Sequence, residues 1–176
     1  GVGKTMLASN ISLLLARAGY RTLLVDFDPG TGNVGVQLRL QGKYDLDDVS
    51  SHRCTAHEAI VQGPGRLQVL LGRSGPTDLI SSSPAHIAEL LRTIRTASSD
   101  YDVVVFDTGA GLNPSTLAVA EQCDLTLGVT TPEVTRGADV DHEHHRELTL
   151  FVENLDERNA ASRSDVPVNA PDVVAV

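Results

Sequence analysis

Four short, mostly apolar segments alternate along this chain with stretches of helical periodicity, and this alternation constrains the fold more than any other feature. The apolar segments span residues 22–25, 67–71, 103–106 and 125–129. Continuous apolar runs of this length are typical of parallel strands that are buried on both faces. Parallel strands need crossover connections, which helices supply. The sequence therefore predicts an α/β fold with a mainly parallel sheet and helices on both faces.

Capping signals and apolar spacing place the helices between these strands. A helix is predicted over residues 5–18, because apolar side chains recur there at helical spacing up to Gly19, a residue suited to the left-handed position after a helix. Ser83 followed by Pro84 predicts an N-cap and a first helical residue, and the apolar spacing extends this helix to about 97. Two shorter helices are predicted from N-caps, one after Thr55 with capping-box spacing to Glu58 and one from Asn113 to about Cys123.

Length and composition suit one globular domain. The chain has 176 residues and a formal net charge of −9. No run approaches the roughly 18 consecutive apolar residues that a membrane-spanning helix needs, and no basic stretch precedes an apolar signal segment. The negative charge disfavours general attraction to nucleic acid or to an anionic membrane, so a phosphate must be bound locally. The two cysteines, Cys54 and Cys123, lie outside any CxxC pattern, and we expect a reduced, cytoplasmic protein.

A phosphate-loop sequence stands directly before the first predicted helix. Gly1-Val2-Gly3-Lys4-Thr5 matches the last five positions of the pattern GxxxxGK[ST]. Glycines let backbone N–H groups surround phosphate oxygens, Lys4 brings a positive charge to the β and γ phosphates, and the Thr5 hydroxyl can ligate Mg²⁺. The positive end of the helix dipole adds to the attraction. On these five residues alone, a glycine-rich cap with a surface lysine is an equal alternative.

Three aspartates follow two of the predicted strands. Asp26 and Asp28 follow the first strand. Asp107 directly follows the strand at 103–106, and Gly109 and Gly111 come shortly after it. Ligands of open α/β sheets bind at the carboxyl ends of the strands. An acid there can hold a metal through water, and glycine N–H groups can face a γ phosphate. Each aspartate alone is more simply a turn or N-cap residue, but the ordered set together with the phosphate loop favours a nucleotide site.

These motifs resemble the MinD/ParA group of deviant P-loop ATPases, and within it the flagellar-number regulators of the FlhG/FleN type. The resemblance is carried by GVGKT at 1–5, DFDPGTGNVGVQLRL at 26–40, KYDLDDV at 43–49, CTAHEAIVQGP at 54–64, YDVVVFDTGAG at 101–111 and VTTPEVT at 129–135. It covers almost all of residues 1–135, which we expect to form a partial P-loop ATPase domain.

The resemblance implies an ATPase that uses ATP and Mg²⁺, dimerises with ATP bound and separates after hydrolysis, so that the nucleotide controls partner or membrane binding. It implies nucleotide contacts at Gly1, Val2, Gly3, Lys4, Thr5, Met6 and Gly111. It implies metal contacts at Thr5, Asp26 and Asp107, with Asp26 acting through water and Asp107 as the Walker B acid. Catalytic roles fall to Lys4 and to Asp28, which would position the attacking water.

The family also has a first strand and a second lysine before the loop, whereas this sequence starts inside the motif. We therefore expect a fragment of a longer gene product that lacks the first strand. A regulator of flagellar number or placement with flagellar or positioning-protein partners is the leading hypothesis. A chromosome- or septum-positioning ATPase and a non-catalytic truncated remnant are the alternatives. An iron–sulfur reductase of this fold is disfavoured, because neither cysteine has a glycine-flanked setting.

The region 136–176 differs from the rest, because acidic residues outnumber basic ones nine to four. We expect one helix over about 146–156 and little regular structure beyond it. Asn154 is a faint candidate for an adenine contact, to which we assign no role. The region lacks the basic, apolar-faced pattern of an interfacial helix, so membrane contact at the inner membrane requires a further C-terminal helix.

Two other binding modes are disfavoured by the residues present. His142, His144 and His145 lack HExxH spacing and a nearby thiol, so a solvated polar helix face is favoured over a metal site. Basic residues are dispersed and aromatic residues make up 3% of the chain, so direct nucleic-acid binding is not supported.

Overall fold

The structure, a computed structural model, describes residues 3–111, 113–129 and 148–154. The predictions made for Gly1, Val2, the three clustered histidines and the residues after 154 lie outside these ranges. The helices are α1 (Lys4–Arg17), α2 (Val34–Leu38), α3 (Leu46–Ser50), α4 (Ala56–Ala59), α5 (Pro84–Ala97) and α6 (Pro114–Ala120), with a 3₁₀ helix at Asp78–Ser81. The strands are β1 (Thr22–Phe27), β2 (Ile60–Gln62), β3 (Gln68–Leu70), β4 (Val103–Thr108), β5 (Leu125–Val129) and β6 (Leu148–Asn154).

The six strands form one sheet in the order β2-β3-β1-β4-β6-β5. Strand β1 pairs in parallel with β3 and with β4, whereas β2 pairs antiparallel with β3, and β6 pairs antiparallel with both β4 and β5. The strands β1, β3, β4 and β5 therefore run in one direction, and these are the four strands that the sequence predicts. The prediction of an α/β fold with a mainly parallel sheet is confirmed.

Helices cover both faces of the sheet, and the alternation of side chains along β1 shows how the faces divide. Leu23, Val25 and Phe27 belong to a core cluster that also contains buried residues of α3, α4, α5 and α6. Leu24 belongs to a second cluster, with buried residues of α1 and α2. Side chains two apart on a strand share a face. Asp26 therefore faces the same side of the sheet as α1.

Local capping signals agree with the observed helix ends. Helix α5 has the bounds 84–97 that the sequence predicts, and its N-cap Ser83 accepts the His86 backbone N–H at 3.3 Å. Thr55 and Glu58 form the predicted capping box at α4. Gly19 follows α1 with a φ of +102°. Helix α6 begins after its N-cap Asn113 as predicted but ends at Ala120, three residues before the predicted end.

The fully buried face of helix α1 consists of small side chains, and Leu13 and Leu15 pack beside it as partly buried residues. Its buried residues are Ala8, Ser9, Ser12 and Ala16, whereas Leu14 is 62% exposed. Residues four apart lie on one helix face, and this face of small side chains lets α1 approach the sheet closely. Within the described residues, no helix has the length and apolar character needed to cross a membrane.

The prediction of a helix over about 146–156 is wrong for residues 148–154, which form strand β6. Leu148, Leu150 and Val152 occur at every second position, so the same segment also has the period of a strand. In the fold, β6 supplies backbone partners to β4 on one side and to β5 on the other. Tertiary pairing of this kind overrides a helical pattern in a short segment.

The direction of β6 also separates Asn154 from the strand ends where a ligand is expected. Asn154 pairs with Val103, at the amino end of β4, whereas Leu150 pairs with Asp107 near its carboxyl end. Four residues of strand correspond to about 13 Å. The position of Asn154 therefore does not support an adenine contact at the site described below.

Candidate functional site

Two buried carboxyl groups lie side by side at the carboxyl ends of the two central strands. Asp26 of β1 and Asp107 of β4 are register partners, and each residue is 1% exposed. Val103 and Val105 of β4 belong to the cluster beneath α1. By the same two-residue alternation, Asp107 faces α1, as Asp26 does. The parallel pairing thus brings two acids that are distant in sequence to one edge and one face of the sheet.

The amino end of α1 meets these two acids. Gly3 caps the helix with a φ of +94°, a conformation that glycine adopts without strain, and the helix begins at Lys4. The Thr5 hydroxyl forms a hydrogen bond with Asp107, and the Lys4 ammonium lies near enough to lower the pKa of that carboxyl. The first turn of α1 contains no acidic residue. This helix end therefore presents backbone N–H groups, a cation and a hydroxyl beside the acidic pair.

Asp28 completes the group from the loop that follows β1. A Cβ atom on Gly109 would lie 2.8 Å from Asp28 Oδ1, so the Asp28 side chain rests directly on the Gly109 backbone. The negative charge of Asp28 raises the pKa of both Asp26 and Asp107. The structure thus gathers in one place Lys4, Thr5, Asp26, Asp28 and Asp107.

The electrostatics of the acidic pair are unfavourable in the chain by itself. Burial, followed by the charge of Asp107, raises the pKa of Asp26 to about 7, although the Val34 backbone N–H donates to Asp26 Oδ2 at 3.1 Å. Burial also raises the pKa of Asp107 to about 6, against the hydrogen bond from Thr5. Two buried carboxylates at neighbouring positions repel each other and lack hydration. A bound cation would relieve both effects.

The donor atoms fit a hard divalent cation such as Mg²⁺. Among the described residues, Asp26 Oδ1 and Asp107 Oδ2 are buried without a hydrogen-bond partner, and the Thr5 hydroxyl adjoins Asp107. Mg²⁺ prefers oxygen ligands and commonly uses one or two carboxylates together with waters and phosphate oxygens. In the same part of the chain, no three histidine, cysteine or acidic side chains form a complete metal cluster. A cation here would therefore need oxygen atoms from water and from a bound anion.

Two other residues with implied nucleotide contacts lie around this group. Met6 is in the first turn of α1 and is 61% exposed. Gly111 is exposed in the turn after β4, where its φ of +84° places it in the left-handed region. Gly1 and Val2 precede the first described residue.

Residues 1–133 match the protein family described as "AAA domain". The antiactivator FleN of Pseudomonas aeruginosa is 36% identical over 135 residues, which are 77% of this chain and 48% of FleN. The septum site-determining protein MinD of Bacillus subtilis is 32% identical over 145 residues, with 80% of this chain and 53% of MinD covered. A solved MinD from Pyrococcus horikoshii OT3, complexed with Mg-ADP, is 26% identical with a TM-score of 0.59, covering 67% of this chain and 48% of that one.

The chain belongs to this AAA-domain family as a MinD/ParA-type P-loop ATPase. The resemblance inferred from its motifs is therefore confirmed. The chain spans about half the length of the curated relatives it matches.

The site of this MinD/ParA-type ATPase includes a glycine that the motifs do not reveal. A Cβ atom on Gly72, just after β3, would lie 2.7 Å from the Asp26 carbonyl oxygen and 2.9 Å from Asp26 Cγ. Any side chain at position 72 would therefore push against the buried carboxyl group. The signal in the sequence is a glycine directly after a predicted parallel strand, at the edge where ligands bind.

Proposed function

We propose that this chain is the nucleotide-binding core of an ATPase that uses Mg²⁺ and ATP as a switch to regulate flagellar number or placement. The proposal is carried by the convergence of Lys4, Thr5 and Asp107 with the Asp26–Asp28 segment at one sheet edge. The cation and helix end suit a triphosphate, and the unpartnered carboxylate oxygens suit a hydrated magnesium ion.

Each side chain has a separate task in this reaction. Lys4 balances charge on the β and γ phosphates, while Thr5 supplies a hydroxyl ligand and Asp26 and Asp107 hold water around the metal. Mg²⁺, when bound, neutralises charge that develops on the phosphate oxygens. Asp28 lies on a loop rather than on a strand and orients the attacking water. Phosphoryl transfer depends mainly on positioning and charge stabilisation, so these groups suffice in kind.

The cellular role rests on similarity to FleN, which is named an antiactivator. We propose a cytoplasmic protein that dimerises with ATP bound in its full-length form and engages flagellar partners. The similarity to MinD of Bacillus subtilis supports a second candidate, a septum- or chromosome-positioning role. Deleting the gene distinguishes the two, because altered flagellar number supports the first and displaced septa or lost chromosomes support the second.

The biochemical test compares the two lysines of the chain, Lys4 and Lys43. Lys43 is exposed, and its ammonium lies 4.7 Å from the centre of the Tyr44 ring. In the full-length gene product, Lys4→Ala should abolish calorimetric binding of ATP with Mg²⁺, and Lys43→Ala should leave it unchanged. Undiminished binding in the Lys4 variant would refute the site, and absence of binding in the wild type would support a non-catalytic remnant.

A further inference from the structure

Two loops contact each other beside the site: the loop that carries Asp28 and a connector that follows β3. The Asp28 loop comprises residues 28–33, and the connector comprises residues 72–82 between β3 and α5. The Ser74 hydroxyl donates a hydrogen bond to the Gly32 carbonyl oxygen. The Gly75 N–H donates to the Gly30 carbonyl oxygen at 3.0 Å, and Ser74 forms β-bridges with the Asp28 loop. The connector is thus hydrogen-bonded to the backbone of the loop that carries Asp28.

The two loops are also packed against each other without spare room. A Cβ atom on Gly32 would lie 2.9 Å from the Gly72 carbonyl carbon. A Cβ atom on Gly30, whose φ is +83°, would lie 2.9 Å from Cδ1 of Ile80. Ile80 stays over the loop although it is 68% exposed. Movement of the Asp28 loop toward the connector is therefore blocked by backbone and side-chain atoms.

The connector is itself anchored to α3, away from the acidic pair. The Arg73 guanidinium donates to both carboxylate oxygens of Asp45, at 2.8 and 3.0 Å, and to Asp48 at 3.3 Å. The Thr77 hydroxyl donates to the carboxylate of Asp47. Leu79 is buried in the core cluster that contains α3 and α5. These contacts fix the part of the connector after Gly72 to α3 and to the core, whereas Gly72 itself packs against Asp26.

We propose that Ser74 is a positioning residue for hydrolysis, which holds the Asp28 loop so that the Asp28 carboxylate stays over Gly109. This proposal rests on the ATPase function proposed above. Asp28 is four residues before Gly32, so the loss of the Ser74 hydrogen bond loosens the loop between Gly30, which stays bonded to Gly75, and Val34, which stays bonded to Asp26. A displacement of about 1 Å can lower a rate roughly 100-fold. Lys4 and Thr5 lie on α1, outside the loop, so nucleotide affinity should be preserved.

The test uses the full-length gene product and three variants. Ser74→Ala should lower kcat roughly 10- to 100-fold, while the dissociation constant for ATP with Mg²⁺ should change less than about twofold. Ser74→Thr keeps a hydroxyl and should restore most of kcat. Ser81→Ala is the matched control, because the Ser81 hydroxyl bonds the Asp78 carbonyl oxygen within its own turn. Equal kcat in Ser74→Ala and wild type would overturn the proposal, as would a loss confined to ATP affinity.

Amide hydrogen exchange gives a second readout that requires no turnover. The Thr31 N–H bonds the Asp28 carbonyl oxygen at 3.2 Å, and the Val34 N–H bonds Asp26 Oδ2 at 3.1 Å. Ser74→Ala should speed exchange at both amides at least several-fold, with α5 unaffected. Unchanged exchange would show that Ser74 does not hold the loop, even in an active enzyme. A wild type without ATPase activity would instead refute the proposed function, and the kinetic role of Ser74 with it.

Discussion

Asp26 and Asp107 are register partners on adjacent parallel strands, and their carboxyl groups are both buried beneath the amino end of α1. Their pKa values are raised to about 7 and about 6, chiefly by burial. The strand pairing therefore places two buried, mutually repelling carboxyl groups at the position where a magnesium ion would neutralise their charge. This relationship leads to predictions about stability as well as about nucleotide binding.

Replacing Asp26 should stabilise the nucleotide-free protein at high pH. The folded state holds its Asp26 proton up to about pH 7, whereas the ordinary value is 3.8. Because the folded state binds more protons in this window, the free energy of unfolding falls as the pH rises from about 4 to about 7. Asp26→Asn removes this loss and should raise the free energy of unfolding at pH 8 by on the order of 2–4 kcal/mol.

Urea denaturation between pH 4 and 8 measures this effect, and the gain should shrink toward the acid end. Asp100→Asn, at an exposed position, is the control and should leave the pH profile unchanged. The same Asp26 variant should bind ATP with Mg²⁺ more weakly than the wild type. A variant whose unfolding profile parallels that of the wild type would contradict the proposed burial cost.

The Thr5 hydroxyl should matter for the metal more than for the fold. Thr5→Ala removes the hydrogen bond to Asp107 and the proposed hydroxyl ligand. We expect the Mg²⁺ concentration for half-maximal ATP binding to rise roughly 10- to 100-fold, a range typical for the loss of groups that support a metal. Thr5→Ser keeps the hydroxyl and should behave nearly as the wild type. If both variants need the same Mg²⁺ concentration as the wild type, Thr5 is not a ligand.

A methyl group on Gly109 should displace the Asp28 carboxylate. The added Cβ would lie 2.8 Å from Asp28 Oδ1, closer than carbon and oxygen atoms approach without a shift. Gly109→Ala should therefore lower kcat by roughly tenfold or more, with a smaller effect on ATP affinity. Gly35→Ala serves as the matched control, since its Cβ would have contacts no closer than 3.4 Å. Equal turnover in the two variants would argue against contact between Asp28 and Gly109 in the active protein.

The capping box at α4 should affect stability alone. Thr55 accepts the Glu58 backbone N–H at 3.3 Å, and Glu58 accepts the Thr55 backbone N–H at 2.8 Å. Thr55→Ala should lower the free energy of unfolding by about 1 kcal/mol, whereas Thr55→Ser should lower it less. Calorimetric binding of ATP should be the same in both variants. A large loss of ATP binding in Thr55→Ala would indicate coupling between α4 and the site that the contacts do not explain.

The elements that the sequence predicts well are those specified by local chemistry. Helix α5 begins at a Ser-Pro cap and continues with apolar side chains at helical spacing, so its bounds follow from neighbouring residues. The central strands are equally predictable from the sequence, because a strand that is buried on both faces consists mostly of consecutive apolar residues. By contrast, β2 has only three residues, which are half-buried or exposed, and no such run marks it. Strand β6 depends on pairing with β5 and with β4, and its partners in β4 are more than 40 residues away along the chain.

Most of the individual site residues can be identified from the sequence, but their proximity in space cannot be predicted from it. Lys4, Asp28 and Asp107 follow from the order of the motifs, whereas Gly72 and Ser74 belong to no motif. The contacts of these last two are with Asp26 and Gly32, about 40 residues away in sequence. Such contacts depend on the side-by-side placement of β1 and β3, which no local pattern encodes.

By itself, the sequence determined which segments are strands of a parallel sheet, where the long helices begin, and which side chains can serve a phosphate and a metal. These properties depend on apolar period, capping groups and residue chemistry, all of which act over a few neighbouring residues. Only the tertiary structure decided that Asp26 pairs with Asp107, that residues 148–154 join the sheet and that Ser74 holds the Asp28 loop. The physical reason is that strand order and register bring distant segments within hydrogen-bond distance. The burial and repulsion of the two carboxyl groups and the hydrogen bond from Ser74 arise only from that proximity.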